Sequence, residues 1–262
     1  MTEIDNKINK FKYTLINSFN DLDLVNFYSN LADLKIIETT DEIYGKLDYA
    51  TNSNYDYLKN CIIIKKNKIS DKSLYHELFH MASNATTKSD IKDGFYLYQN
   101  KRNFGLGINE GYTEYLTRKY FGKFDNEYVY EFEVIIAKYI EDIIGKNKME
   151  SYYLRAQLDS LIDDLSLYSD RDRAILFITD IDFVHYFLDQ EDMQNDILAA
   201  VNRINEFIIC CRLSKYNLSY LEKNSLLKVN YNMNFFEKFN MIQDEIFIKD
   251  IVSKYNKEKI VK

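Results

Sequence analysis

The sequence predicts an α+β protein whose N-terminal half mixes strands with helices and whose C-terminal half is mostly α-helical. Apolar residues recur at three- and four-residue spacing over most of the chain, the mark of amphipathic helices. Between residues 34 and 66 that period gives way to short β-branched runs divided by polar turns. Four of the seven glycines fall between Gly94 and Gly111, so the change of architecture lies in the first half. With 46% apolar residues among 262, the chain can bury a substantial core. The expected division is a mixed α and β subdomain over residues 1–122 and a helical subdomain over 123–262.

Taken in order, Ile8, Phe11, Leu15 and Phe19 define a first helix over residues 5–20, and a short second one is expected over 22–31 after Asp21. Residues 34–39, 42–50 and 61–66 read as three strands of a small sheet. Ser70 or Asp71 can cap the next helix, whose Leu74, Leu78 and Met81 form an apolar face toward the sheet. Residues 83–107 break the pattern with Asp93-Gly94 and Gly105-Leu106-Gly107, and are expected to be a long loop beside the site, carrying Tyr96, Tyr98 and Arg102. A helix over 108–120 ends at Gly122. Helices are then expected over 126–144 with Gly145 as stop, and over 149–167, 171–188, 193–213 and 234–252, with 174–182 as the one stretch that also suits a strand.

The capped helix carries His76-Glu77-Leu78-Phe79-His80, which holds two of the three histidines in the chain. Residues four apart on a helix lie about 40° apart in projection, so both imidazoles can reach one metal ion. Glu77 then stands beside the metal, where a carboxylate can take a proton from metal-bound water. The competing reading is a pair of hydrogen-bonded histidines on a partly buried helix. A third protein ligand would leave one position open, and Asn109-Glu110-Gly111-Tyr112-Thr113-Glu114 suits that need. Glu110 and Glu114 are one helical turn apart, so Glu110 can bind the metal while Glu114 accepts the outer ring N–H of a liganding histidine.

The two stretches together resemble the gluzincin group of zinc metallopeptidases, over roughly residues 60–121. The resemblance implies a zincin-like N-terminal half, with His76, His80 and Glu110 as Zn²⁺ ligands, Glu77 as general base and proton donor, and Glu114 as the outer acidic residue. It also implies that residues 61–66 form the edge strand along which an extended peptide or protein substrate aligns. The 29 residues between His80 and Glu110 exceed the spacing of thermolysin-like members and imply an insertion. Glu114, Asp90 and Asp93 are the fallback ligands. For the side chain that stabilises the oxyanion the candidates are Tyr98 and His185, with Tyr96 and Tyr112 also in view. The alternative to an active peptidase is a catalytically silent zincin-fold binding or regulatory protein, and a helical interaction protein with an accidental motif is the third reading.

Composition narrows the partners further. A net charge of −7 without a clustered basic stripe argues against nucleic acid. No run of about eighteen apolar residues occurs and the first thirty residues lack a signal-peptide pattern, so the expected setting is cytoplasmic, with no membrane partner. Cys61, Cys210 and Cys211 have no framework spacing and are expected to be buried reduced thiols, and the 23 tyrosines and 17 phenylalanines are expected to pack between helices.

Overall fold

The computed structural model describes residues 2–39, 53–65, 70–122 and 130–214. The expected strand over 42–50 and helix over 234–252 lie outside the described residues. The architecture is α+β, and the chain divides into two compact units, Met1–Leu161 and Ile162–Lys262.

Unit 1 opens with α1 (Glu3–Ser18), started by a capping box in which the Thr2 hydroxyl accepts from the Asp5 amide and the Asp5 carboxylate accepts from the Thr2 amide. Helix α2 (Val25–Ala32) begins three residues later than expected, because residues 21–24 form a turn rather than a first helical turn. A three-stranded sheet follows, built from β1 (Lys35–Thr39), β2 (Ser53–Asp56) and β3 (Cys61–Lys65) in the order β1-β3-β2. β1 runs parallel to β3, and β2 antiparallel to it with Ser53 opposite Ile64. The expectation of an edge strand at 61–66 is corrected here. Cys61, Ile62, Ile63 and Ile64 are all buried, as befits a central strand covered on both faces, and the polar Ser53-Asn54-Tyr55-Asp56 run takes the position beside the site.

Helix α3 (Asp71–Ser83) carries the His-Glu-x-x-His motif and is capped by the Ser70 hydroxyl, which accepts from the Ser73 amide. Every residue from Leu74 to Ser83 is buried, which marks a helix enclosed by neighbours on all sides rather than one lying on a surface. Phe79 packs edge-on against Phe11 at 5.0 Å between ring centroids, and Tyr75 stacks on Phe121 at 3.9 Å, so aromatic side chains fill the space between the helices.

Residues expected to form a loop over 83–107 instead contain a second sheet, β4 (Ile91–Asp93), β5 (Tyr96–Gln99) and β6 (Arg102–Phe104), antiparallel in sequence order. Its strands are too short and polar for a period-2 signal, and turns make them. Asn100 and Lys101, at φ of 52° and 63°, form the two-residue connection between Gln99 and Arg102 with the twist that hairpins prefer. Gly94, at φ of 55°, turns Asp93 into Tyr96, and a Cβ there would lie 2.3 Å from Asn109 Oδ1.

Helix α4 (Leu106–Phe121) ends at Gly122 as expected, and α5 (Glu131–Ile144) ends at Gly145. The two cross closely at Gly111, where a Cβ would lie 2.4 Å from the Glu133 carbonyl carbon and oxygen. The single helix expected over 149–167 is two, α6 (Lys146–Leu154) and α7 (Leu158–Ser166), parted at Ala156 with φ of 53°. The Asn26 amide donates to the Leu154 carbonyl at 2.9 Å and so satisfies the broken end.

In unit 2, residues 174–182 are helical, within α8 (Arg171–Phe187), which starts at the Asp170 cap. It packs on α9 (Gln194–Leu213) through stacked Phe177 and Phe207 rings at 4.4 Å and a two-pronged contact from Arg203 to Asp180 at 2.8 and 2.6 Å. Cys61 in unit 1 and Cys210 and Cys211 in unit 2 are all buried, as expected. No helix among the described residues is long and apolar enough to cross a membrane.

Candidate metal centre

Two helical stripes face each other in unit 1. Lys72, His76 and His80 lie four apart on α3, and Glu110, Glu114 and Arg118 lie four apart on α4. His76 Nε2 lies 3.1 Å from Glu110 Oε2 and 3.1 Å from His80 Nε2, and His80 Nε2 lies 3.6 Å from Glu110 Oε2. Ligands about 2.0–2.1 Å from a tetrahedral ion are separated by about 3.3–3.4 Å, so the triangle has the size a small ion needs.

The opposite ring nitrogens bear on whether this triangle can hold a cation. His76 Nδ1 faces Glu114 Oε2 at 3.3 Å, and His80 Nδ1 faces Asp93 Oδ2 at 2.7 Å. A carboxylate accepts only, so each Nδ1 carries the proton, and in the neutral imidazoles both Nε2 lone pairs point with Glu110 Oε2 at one place. Three acceptors 3.1–3.6 Å apart repel unless positive charge lies among them. His76, His80 and Glu110 could therefore hold a metal ion.

The electrostatics agree. Burial works against a charged His76, but its hydrogen bonds to Glu110 and Glu114 outweigh burial and raise its pKa to about 9. Burial likewise opposes charge on His80, and the Asp93 and Glu110 charges lift its pKa well above the ordinary value. Burial would raise Glu110, yet the two imidazoles hold it well below the usual carboxylate range. Glu114, which burial would also raise, is held at about 2 by hydrogen bonds from His76 and Lys72. The pull on protons at this cluster is the pull a metal cation would feel.

Glu77 lies next to the cluster and outside the triangle. Its Oε1 accepts from Ser53 Oγ at 3.1 Å, and burial raises its pKa, the two imidazoles offsetting part of the effect. Lys72 Nζ lies 2.9 Å and Arg118 Nε 2.7 Å from Glu114 Oε1, so two cations balance the outer carboxylate. Asn109 ties the hairpin sheet to the centre, accepting from the Phe95 amide at 2.9 Å and approaching Asp93 Oδ2 at 3.4 Å.

Of the residues singled out in the sequence, His76, Glu77, His80, Glu110 and Glu114 come together around one cleft. Asp93 lines it too, behind His80 rather than in the triangle, while Asp90 sits in a turn closed by its contacts with Thr87. Tyr98 sits on β5 and is not among the residues lining the cleft, and Tyr112 is buried with its hydroxyl donating to Glu141 at 2.6 Å. Tyr96 does line the cleft, its hydroxyl donating to Asn103 at 3.0 Å. His185 belongs to unit 2, on α8 beside Tyr186.

Tyr130 was not legible in the sequence. It caps α5 in a left-handed conformation, φ 60° and ψ 34°, uncommon for a bulky side chain and typical of functional sites. Its ring stacks on His76 at 5.9 Å, and the Glu110 charge, then burial, pushes its hydroxyl far above the usual phenol range. Lys72 and Arg118 could have been found by extending each motif one helical turn outward.

Compared with known proteins, the chain matches no family model, no curated protein and no solved structure.

Proposed function

We propose that this chain is a zinc-dependent metallopeptidase of gluzincin type, with a zincin-like arrangement in unit 1. The observation that carries the reading is the convergence of the His76, His80 and Glu110 acceptor atoms, each imidazole backed by a carboxylate, with an uncoordinated buried Glu77 alongside. Three protein ligands of the His₂Glu kind leave a fourth position for water, the pattern of catalytic rather than structural zinc sites. Zn²⁺ bound there would act as a Lewis acid and make water a nucleophile near neutral pH.

The chain's own groups then do the proton work. Glu77 takes a proton from the attacking water as its oxygen bonds to the scissile carbonyl carbon, and passes that proton to the leaving amine as the C–N bond breaks. Tyr130, kept protonated beside Glu110, is our assignment for the donor to the carbonyl oxygen as negative charge builds there. An extended peptide would run along Ser53, Asn54, Tyr55 and Tyr57, which line one wall of the cleft. The raised pKa of Glu77 suits a general base that must also give the proton back.

The test is cleavage of a peptide library by the zinc-loaded protein, with and without chelator. Wild type should cleave and lose activity to the chelator, Glu77→Gln should lose about 10²–10⁴-fold in kcat, and Tyr130→Phe about 10²-fold. A zinc-loaded wild type that cleaves nothing would favour the alternative, a catalytically silent zincin-fold binding protein.

A further inference from the structure

The cleft wall and the proposed general base are joined by one side chain. Ser53, on the strand β2 that lines the cleft, donates its hydroxyl to Glu77 Oε1 at 3.1 Å, and both residues are buried, at 1% and 8% exposure. Two residues along the same strand, the Tyr55 hydroxyl accepts from the Asn84 side chain at 2.8 Å and donates to Asn60 at 2.9 Å. Glu77 and Asn84 are seven residues apart, about two turns of helix. Successive odd positions of a strand point to the same side, so Ser53 and Tyr55 lace β2 to the motif helix at two heights. The antiparallel register of Ser53 with Ile64 fixes where along the helix that lacing falls.

Resting on the reading of Glu77 as general base, we propose that Ser53 is a positioning residue for the reaction: its hydroxyl fixes the rotation of the Glu77 carboxylate against the strand along which the substrate lies. A carboxylate has two oxygens and turns easily about its last bond. Anchoring Oε1 leaves the other oxygen for the water and sets its angle relative to β2, the element that also sets the height of the peptide. The base and the scissile bond are thereby referenced to one rigid strand, which keeps them within the narrow geometry that proton transfer demands.

The experiment compares wild type, Ser53→Ala and Ser53→Thr in the zinc-loaded protein. A lost hydrogen bond to a charged group predicts a fall of about 10-fold in kcat for Ser53→Ala, with unchanged KM and zinc content, and Ser53→Thr should recover most of the rate because it keeps the hydroxyl. An unchanged kcat in Ser53→Ala, a threonine variant no better than alanine, or a rise in KM at constant kcat would each overturn the proposal. Thermal unfolding supplies a second readout. Ser53→Ala should lower Tm in the wild-type background and by less in the Glu77→Gln background, and equal shifts in both would show that the pair is not coupled. Should wild type show no hydrolysis, the peptidase reading itself falls, and the positioning role falls with it whatever the unfolding data show.

Discussion

Asp93→Asn isolates the carboxylate behind His80 while keeping its shape. Asp93 Oδ2 lies 2.7 Å from His80 Nδ1, and Oδ1 accepts from Ser83 Oγ at 2.8 Å. A metal ion on Nε2 would be roughly 6 Å from this carboxylate, and at an effective dielectric constant near 20 removing a unit charge from a dication at that distance is worth at most about 5.5 kcal/mol. Solvent and neighbouring charges reduce that ceiling, and loss of such outer partners usually weakens metal binding about 10–100-fold, or about 1.4–2.8 kcal/mol. Glu114→Gln would be a poorer probe, since Lys72 Nζ and Arg118 Nε also contact that carboxylate, at 2.9 and 2.7 Å, and the change would disturb those ion pairs as well. Competition of the purified variant against a chelator of known zinc affinity measures the effect, with far-UV circular dichroism checking the fold. Wild-type affinity in a correctly folded Asp93→Asn protein would refute the idea that this carboxylate orients His80 for a cation.

Other consequences follow from the same geometry. Gly111→Ala should destabilise unit 1 by about 1–3 kcal/mol through overpacking, because the new Cβ meets the Glu133 backbone at 2.4 Å; a denaturant midpoint equal to wild type would show that the α4–α5 crossing yields instead. Zinc affinity should rise with pH toward about 9, because His76 holds its proton up to that pH and metal must displace it. Below that value the apparent constant should fall about tenfold per pH unit for each proton released, which calorimetry in two buffers counts directly, and a constant that does not change between about pH 7 and about pH 9 would contradict it.

The parts of the molecule that could be read from sequence are those where one residue type has one physical use. Two imidazoles four apart with an adjacent glutamate define a helix face, and Gly122 and Gly145 mark helix ends because both adopt positive φ. The second sheet could not be read because its strands are three or four residues long, and the turn between β5 and β6 puts Lys101, a side chain that does not announce a left-handed backbone, at positive φ beside Asn100. β2 was missed for a related reason: Ser53-Asn54-Tyr55-Asp56 has no β-branched residue, and its place comes from what Ser53 and Tyr55 meet across the space to α3. Asp93 is recognisable as a carboxylate near the motif, but its place behind His80 depends on the turn at Gly94, a tertiary fact. The same holds for Tyr130, which reaches His76 only because α5 crosses α4 at Gly111.

In the proposed site His76, His80 and Glu110 together hold one zinc ion. Elemental analysis of purified wild type alongside His80→Ala, Glu110→Ala and Glu77→Gln tests it most directly. One zinc per chain is expected in wild type and Glu77→Gln, and loss of the metal in His80→Ala and Glu110→Ala. Absence of any bound metal in zinc-supplemented wild type, or zinc retained in all four proteins, would contradict it.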